Sequence, residues 1–239
     1  MSEETPPTIG MIVPPAAGEV PPEAPAVYPE LRFLAHGLGL ADMAPDDYAR
    51  VTDFVGDAAA GLAARGADVV GIMGTSLSFF RGADFNDALA ALVAERSGRP
   101  SSTMSSAIIR ALRAVSARRL AVLTAYEDDV NRLLQAYLEG HGFSIASLQA
   151  LKIRAVSEVA GVGTEQLVHE GRRAIEAAAG ADALLISCGG LQTLDCVRQL
   201  EAKGSPPVVT SATAGVWDLA RLAGAHTPRP GFGRLFEIA

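Results

Sequence analysis

The stretch ADVVGIMGTSL at Ala67–Leu77 aligns without gaps with ADALLISCGGL at Ala181–Leu191. Each copy is an apolar run that suits a buried strand, followed by small polar residues and glycine that suit a turn into a helix. Gly74 and Cys188 occupy equivalent positions in the two copies. The repeat therefore predicts two similar lobes, each with one strand-to-helix turn of this kind.

A second pair of segments supports the repeat, because PSSTMSSA at Pro100–Ala107 resembles PVVTSATA at Pro207–Ala214. Short β-rich runs alternate with alanine-rich helical stretches in both halves, which predicts parallel sheets covered by helices on both faces. The predicted strands are Ile9–Val13, Asp68–Met73, Leu120–Thr124, Ala183–Ser187 and Val208–Thr210. The predicted helices are Asp46–Ala64, Phe85–Arg96, Asp128–Gly140, Leu167–Ala179 and Gly215–Leu222.

These elements predict an α/β fold of two Rossmann-like lobes related by a pseudo-twofold axis. We expect residues 1–116 and 217–239 to form the first lobe and residues 117–216 the second. The two turns would then meet at one cleft, and the carboxyl ends of parallel strands are where such folds bind ligands. Eight of the 14 prolines fall in the first 29 residues, so we expect Pro14–Pro29 to be an irregular, functional loop.

Composition narrows the class of function. The chain has 239 residues with a formal charge of −7, which argues against a nucleic-acid or anionic-membrane partner. The start, Met1–Pro7, carries acid and proline instead of the basic and apolar parts of a signal peptide, and no apolar run reaches the roughly 18 to 20 residues of a membrane span. We therefore expect a cytoplasmic enzyme that acts on small molecules. Two cysteines and four scattered histidines predict neither a disulfide scaffold nor a metal site.

The turn at Gly74-Thr75-Ser76 offers backbone N–H groups and hydroxyl donors that suit an anion, or else it is an ordinary helix cap. At Cys188-Gly189-Gly190 the glycines allow close approach of a ligand and form an anion-binding nest. A thiol at the mouth of that nest would have its acidity tuned by the local positive potential. A lone buried cysteine is commonly a core residue, but the glycines and the repeat favour a catalytic role.

Two more residues have competing interpretations. Tyr126 ends the first strand of the second lobe, where it either aims its phenol at the cleft or packs on the sheet edge. Cys196 lies among helical apolar neighbours, which favours core packing. The sequence holds no dinucleotide fingerprint, phosphate loop, GxSxG elbow or recognisable catalytic triad.

The chain resembles the aspartate/glutamate racemase superfamily and, within it, the arylmalonate decarboxylases. The motifs that carry the resemblance span almost the whole chain and are GMIVPPAAG from Gly10, GLGL from Gly37, MGTSLSF from Met73, TAYEDDVN from Thr124, SCGGL from Ser187 and RPGFGRLF from Arg229. The racemases use two opposed cysteines. Gly74 replaces one of them here, which is the pattern of the decarboxylases.

The resemblance implies that the protein decarboxylates α-aryl or alkenyl malonates without a cofactor, and that Cys188 protonates one face to give a single enantiomer. One carboxylate would be held by Thr75, Ser76, Tyr126 and the N–H groups from Cys188 through Gly189 to Gly190. The other would lie against an apolar wall, and Gly74 would contact the substrate on the side opposite Cys188. This wall comprises Pro14, Pro15, Leu40, Leu77, Val156 and Val159, with Met43 and Tyr48 nearby. Met43 and Val159 depart from the apolar residues usual at these wall positions, which bears on pocket size and preferred substrate.

Two other readings remain open at this point. One is isomerisation on the same scaffold, by an amino-acid racemase or a maleate cis-trans isomerase. The other is a ligand-binding protein with an inactive site. We expect a monomer or a small homo-oligomer.

Overall fold

Two four-stranded parallel sheets form the core of the protein, as a computed structural model describes it for residues 6–201 and 204–238. The first sheet has the order β2-β1-β3-β4 and comprises β1 (Thr8–Val13), β2 (Arg32–Gly37), β3 (Val69–Ile72) and β4 (Ser101–Thr103). The second has the order β6-β5-β7-β8 and comprises β5 (Arg119–Thr124), β6 (Ser144–Ala150), β7 (Ala183–Ser187) and β8 (Val208–Thr210). Because both sheets have the same strand order, the predicted two-lobed α/β fold is confirmed.

Helices connect and cover these strands. They are α1 (Glu23–Val27), α2 (Pro45–Thr52), α3 (Val55–Ala64), α4 (Thr75–Phe79), α5 (Ala83–Ser97), α6 (Met104–Ala114), α7 (Asp128–Gly140), α8 (Val156–Val159), α9 (Thr164–Ala177), α10 (Leu194–Leu200) and α11 (Ser211–Leu222), followed by a 3-10 turn at Arg234–Glu237. Strands β3 and β7 are buried along their whole length, which fits their apolar sequences. Of the helices in the described part of the chain, none combines the length and apolar character needed to cross a bilayer.

Two predictions of local structure were wrong. The single helix expected at Asp46–Ala64 breaks at Asp53 and Phe54, so that α2 and α3 are separate. The Thr52 hydroxyl donates to the Tyr48 carbonyl at 2.7 Å, a side-chain bond of the kind that bends helices, and Phe54 is 57% exposed at the break.

The proline-rich loop also contains a short helix, α1, which was expected to be irregular. Pro22 stands immediately before this helix with a φ of −63°, a value that already suits helical backbone. Pro25 lies within the first turn, where a backbone N–H has no partner in the helix. The prolines are therefore compatible with one helical turn.

Helix α11 links the two halves of the chain. It begins directly after β8 and packs on the first sheet, where Leu219 lies against Gly71 of β3. The Asp218 carboxylate binds the Arg110 guanidinium and accepts a hydrogen bond of 2.6 Å from the Ser102 hydroxyl. Because α11 is continuous through residue 217, the proposed lobe boundary there crosses a helix, and the domain division stays a prediction. Residues Met1–Thr5, on which part of the signal-peptide argument rests, lie outside the described residues.

Candidate active site

The two repeated turns lie side by side. Strand β3 leads into Met73 and Gly74, and β7 leads into Cys188 and Gly189. A Cβ atom on Gly189 would lie 2.9 Å from the Met73 carbonyl oxygen and 2.8 Å from the Met104 Sδ, closer than real Cβ atoms come. Glycine at this position therefore allows the turns of the two lobes to pack against each other.

A cavity of about 210 Å³ opens at these turns. Most of the site residues expected from the sequence line it: Pro14, Pro15, Leu40, Met43, Gly74, Thr75, Ser76, Tyr126, Val156, Val159, Cys188, Gly189 and Gly190. Leu77 and Tyr48 are fully buried and are not among the lining residues. The lining also includes five residues of the proline-rich loop, Glu19, Val20, Pro21, Pro22 and Glu23. Residues that were not expected at the site are Val13, Met73, Ala160, Leu191 and Gln192.

Hydroxyl groups gather at one end of the cavity. The Thr75 hydroxyl donates to Ser211 Oγ at 2.8 Å and lies 2.9 Å from the Met104 Sδ. The Tyr126 hydroxyl accepts a hydrogen bond of 3.4 Å from Ser187. Burial raises the pKa of Tyr126 well above its ordinary value, so this phenol keeps its proton and can donate a hydrogen bond to an anion.

Behind this polar end, the Tyr48 ring packs against Phe80. Its hydroxyl is buried without a hydrogen-bond partner among the described residues. Burial raises the pKa of Tyr48, and the nearby Ser76 side chain partly opposes this effect. Tyr48 therefore remains a neutral phenol beside a residue that lines the cavity.

Cys188 lies at the centre of the cleft and is 5% exposed. Burial raises the pKa of its thiol to about 11, and the backbone N–H groups of Gly190 and Leu191 oppose that rise only partly. The thiol therefore carries its proton at neutral pH, as a general acid must. Its Sγ lies 3.9 Å from the thioether sulfur of Met43.

The backbone N–H groups around Cys188 differ in whether they have a hydrogen-bond partner. The Cys188 N–H donates to Ser211 Oγ at 3.1 Å. The N–H groups of Gly189 and Gly190 make no hydrogen bond to an oxygen in the described part of the chain, and both residues line the cavity. The Gly189 N–H is therefore available to an anion, and the Gly190 N–H also faces the Cys188 thiol.

Segments from both lobes build the apolar end of the cavity. The Leu40 N–H donates to the Pro14 carbonyl at 2.8 Å, which fixes one segment against the end of β1. Met43 N–H donates to the Arg154 carbonyl at 2.9 Å, and Asp42 forms an antiparallel bridge with Ala155. The wall that contains Met43 and Val156 is thus held together by backbone contacts between the lobes.

The proline-rich segment also lines the cavity. Glu23 of α1 is buried, and its carboxylate accepts the Thr193 N–H at 2.9 Å, which ties this segment to the start of α10. Burial raises the pKa of Glu23.

Cys196 is fully buried, and its thiol donates to the Thr193 carbonyl at 3.1 Å, away from the cavity lining. Within residues 6–201 and 204–238, no cluster of His, Cys, Asp and Glu has the arrangement of a metal site.

A duplicated parallel α/β fold, with a buried thiol at one of its two equivalent turns, defines an enzyme of the racemase and isomerase superfamily. Sequence comparison gives the narrower assignment, since the family profile of arylmalonate decarboxylase matches residues 9–236. Arylmalonate decarboxylase of Bordetella bronchiseptica is 48% identical over 238 residues, which cover 99% of each chain. This chain belongs to the arylmalonate decarboxylase family and is a carboxy-lyase.

Solved structures agree with this assignment. The Gly74Cys-Cys188Ser mutant of arylmalonate decarboxylase, in its liganded form, matches with a TM-score of 0.94 and 48% identity, over 98% of this chain and 100% of that one. The maleate cis-trans isomerase of Nocardia farcinica bound to Tris matches with a TM-score of 0.86 and 26% identity, over 97% and 98% of the two chains. The fold is therefore shared by a decarboxylase and an isomerase.

Proposed function

We propose that this enzyme removes one carboxyl group from α-aryl or alkenyl malonates without a cofactor and protonates the resulting carbanion on one face through Cys188. The observation that carries the proposal is the buried Cys188 thiol in a cavity that is also lined by Gly74, at the equivalent turn of the other lobe. The two turns thus supply one thiol, and decarboxylation needs one proton.

The retained carboxylate would occupy the polar end of the cavity. There it would receive hydrogen bonds from the hydroxyls of Thr75, Ser76 and Tyr126 and from the N–H groups of Gly189 and Gly190. Because these donors belong to the ends of buried strands and to the turns that follow them, they are preset to bind negative charge.

The departing carboxylate would face the apolar end, against Pro14, Leu40, Met43, Val156 and Val159. A carboxylate without hydrogen bonds is unstable in such surroundings, and it loses its charge when it leaves as neutral CO₂. The carbon–carbon bond breaks, and its electron pair delocalises into the retained carboxylate and the aryl group. The resulting enediolate carries extra charge at the oxygens that face the donors, each of which can contribute on the order of 10² to 10³ in rate.

Cys188 then completes the reaction. Its S–H bond breaks as the proton passes to the α-carbon, and the enediolate is a far stronger base than a thiolate, so the transfer is downhill. Water returns a proton to the thiolate, whose raised pKa favours recovery of the acid. Gly74 provides no acid on the opposite side, and a single enantiomer of the monoacid follows.

Isomerisation is the second candidate, supported by the likeness to maleate cis-trans isomerase. Amino-acid racemisation needs a second thiol where this chain has Gly74, and thiol addition to a double bond needs a thiolate, which burial of Cys188 disfavours. Incubation with maleate tests this candidate: we expect no fumarate, and steady formation of fumarate would favour isomerase activity instead.

The proposed decarboxylase is tested by CO₂ release from phenylmalonate. We expect the Cys188→Ala variant to lose product formation by at least about 10²-fold, as the loss of a general acid predicts. The Cys196→Ala variant is the matched control, because Cys196 is a buried thiol of the same lobe that does not line the cavity. Near-normal turnover by a folded Cys188→Ala protein would refute the role of this thiol.

The proposal also covers the class of ligand, the location and the oligomeric state of the protein. Its partner would be a small-molecule malonate, with no nucleic acid or membrane, and it would act in the cytoplasm as a monomer or small homo-oligomer. The net charge of −7 supports the exclusion of polyanionic partners.

A further inference from the structure

Ser211 joins the two turns of the active site, although it does not line the cavity. It is fully buried at the first position of α11. Its Oγ accepts the Thr75 hydroxyl at 2.8 Å and the Cys188 N–H at 3.1 Å. The Ser211 side chain therefore contacts two groups of the site. One is Thr75 of the first lobe, which would donate to the substrate carboxylate, and the other is the backbone of Cys188, the proposed acid of the second lobe.

The neighbours of Ser211 hold it in place. Thr210 caps α11, with its hydroxyl accepting the Thr213 N–H at 3.1 Å, while the Thr213 hydroxyl accepts the Thr210 N–H at 3.2 Å. The Thr193 hydroxyl also lies 2.8 Å from that of Thr210. Because the preceding residue is fixed by three hydrogen bonds, the position of Ser211 is set by the fold and not by a ligand.

The internal repeat gives Ser211 a counterpart. It aligns with Met104, and each of the two residues follows a capping threonine at the start of a helix. Both contact the same atom, since the Met104 Sδ lies 2.9 Å from Thr75 Oγ1. In the present geometry the bond runs from Thr75 to Ser211. A thioether is a weak acceptor with no proton to donate, so Ser211 is the member of the pair that has a proton of its own to give once its hydroxyl turns toward Thr75.

The number of hydroxyl protons on Thr75 and Ser211 determines which hydrogen bonds the two residues can form together. Thr75 has one hydroxyl proton, which in the present structure faces two acceptors, Ser211 Oγ at 2.8 Å and the Met104 Sδ at 2.9 Å. To bind a carboxylate, Thr75 must turn that proton toward the cavity and leave its own oxygen free to accept another. The hydroxyl proton of Ser211 has no other acceptor among the described residues, and it can supply this bond.

We infer that Ser211 is a positioning residue that keeps the Thr75 hydroxyl and the Cys188 backbone in register and donates to Thr75 when Thr75 donates to the substrate. The inference rests on the proposed function, and it adds a residue outside the cavity to the machinery. The resulting chain runs from the Cys188 N–H through Ser211 and Thr75 to the carboxylate. Hydrogen bonds in such a chain polarise one another, so its effect grows as the carboxylate becomes an enediolate.

The test is a double-mutant cycle measured by CO₂ release from phenylmalonate. We expect Ser211→Ala to lower kcat by about 10- to 100-fold, somewhat less than the loss of a direct oxyanion donor, and to change KM much less. In a Thr75→Val background, Ser211→Ala should cost less than it does in the parent, because one of the two groups that Ser211 holds, the Thr75 hydroxyl, is already gone.

Ser102→Ala is the matched control. Ser102 is also buried and also binds α11, through Asp218, but it lies outside the cavity lining. If Ser211 merely anchored α11, both variants would lower thermal stability and activity alike. We expect Ser102→Ala to lower the melting temperature without this loss of kcat.

Two results would overturn the inference: an unchanged kcat in Ser211→Ala, or losses from Ser211→Ala and Thr75→Val that multiply in full. Failure of the parent to release CO₂ would instead refute the proposed function. The inference would then be decided by phenylacetate binding in calorimetry, where Ser211→Ala should weaken affinity more in the parent than in Thr75→Val. Equal weakening in both backgrounds, or none in either, would contradict it.

Discussion

The protonation state of Cys188 decides which chemistry the cleft supports. The equivalent turns both end buried strands, yet one presents a thiol and the other a hydrogen atom. Burial dominates over the local N–H groups and raises the pKa of the thiol to about 11. The positive potential expected from the glycine turn is therefore the smaller of two opposing effects, and the group is suited to donate a proton.

A titration follows from this pKa. Since a raised pKa means that the folded protein holds the proton more tightly, Cys188 should stay protonated below pH 11 and ionise above it. An ultraviolet difference titration of Cys196→Ala against the Cys188→Ala/Cys196→Ala double variant isolates this thiolate. We expect a midpoint near pH 11, well above the ordinary value of about 8.5. A midpoint below pH 8 would indicate an activated nucleophile instead of an acid.

Single residues were predictable where the repeat marked them. Gly74, Thr75, Cys188 and Gly189 stand at the two aligned turns, and all four line the cavity. Ser211 was missed because its contacts arise where α11 crosses between lobes, which local spacing does not encode. The alignment of Pro100–Ala107 with Pro207–Ala214 nevertheless contained a signal, since it pairs Ser211 with Met104.

At the scale of elements, the site depends on the close approach of two strand-to-helix turns. Gly189 is the point of contact, and the Met73 carbonyl it faces belongs to the backbone and cannot rotate away. Gly190 has a looser environment, where a Cβ would lie 3.1 Å from the Val159 side chain. The turns are therefore spaced by the backbone at Gly189 more than by side chains.

Gly189→Ala should separate the turns. The added methyl group overlaps the Met73 carbonyl, so we expect a loss of about 1 to 3 kcal/mol in the free energy of unfolding together with reduced kcat. Gly163→Ala is the control, because a Cβ there meets no atom within 4 Å. Denaturant unfolding and phenylmalonate turnover measure the two effects. Equal stability and turnover in both variants would show that the turns are not in contact.

Elements were predictable in proportion to their burial. Strands β5 and β7 are almost wholly buried, and apolar runs identified both. The edge strands β2 and β6 were missed, since their residues are mostly half-exposed and carry no clear apolar pattern. Short β4 was missed as well, because Ser101–Thr103 has polar side chains, and the strand joins the first sheet by pairing with β3.

The two lobes of the molecule share one backbone architecture but carry different chemical groups at their equivalent turns. The same strand order occurs in both sheets, and α6 and α11 begin with equivalent threonine caps. The sequence repeat was sufficient to predict this architecture. It could not predict how the lobes close on each other, because the pairing of Asp42 with Ala155 and of Glu23 with Thr193 involves residues far apart in the chain.

This asymmetry has a direct stereochemical consequence. With one thiol in the cleft and Gly74 at its counterpart, protons should reach the carbanion from one lobe only. Decarboxylation of methylphenylmalonate in D₂O, followed by mass spectrometry and chiral chromatography, measures this. We expect 2-phenylpropionate with one deuteron at the α-carbon and a single handedness, unchanged on renewed incubation with the enzyme. A racemic product, or loss of handedness during that incubation, would contradict the one-acid cleft.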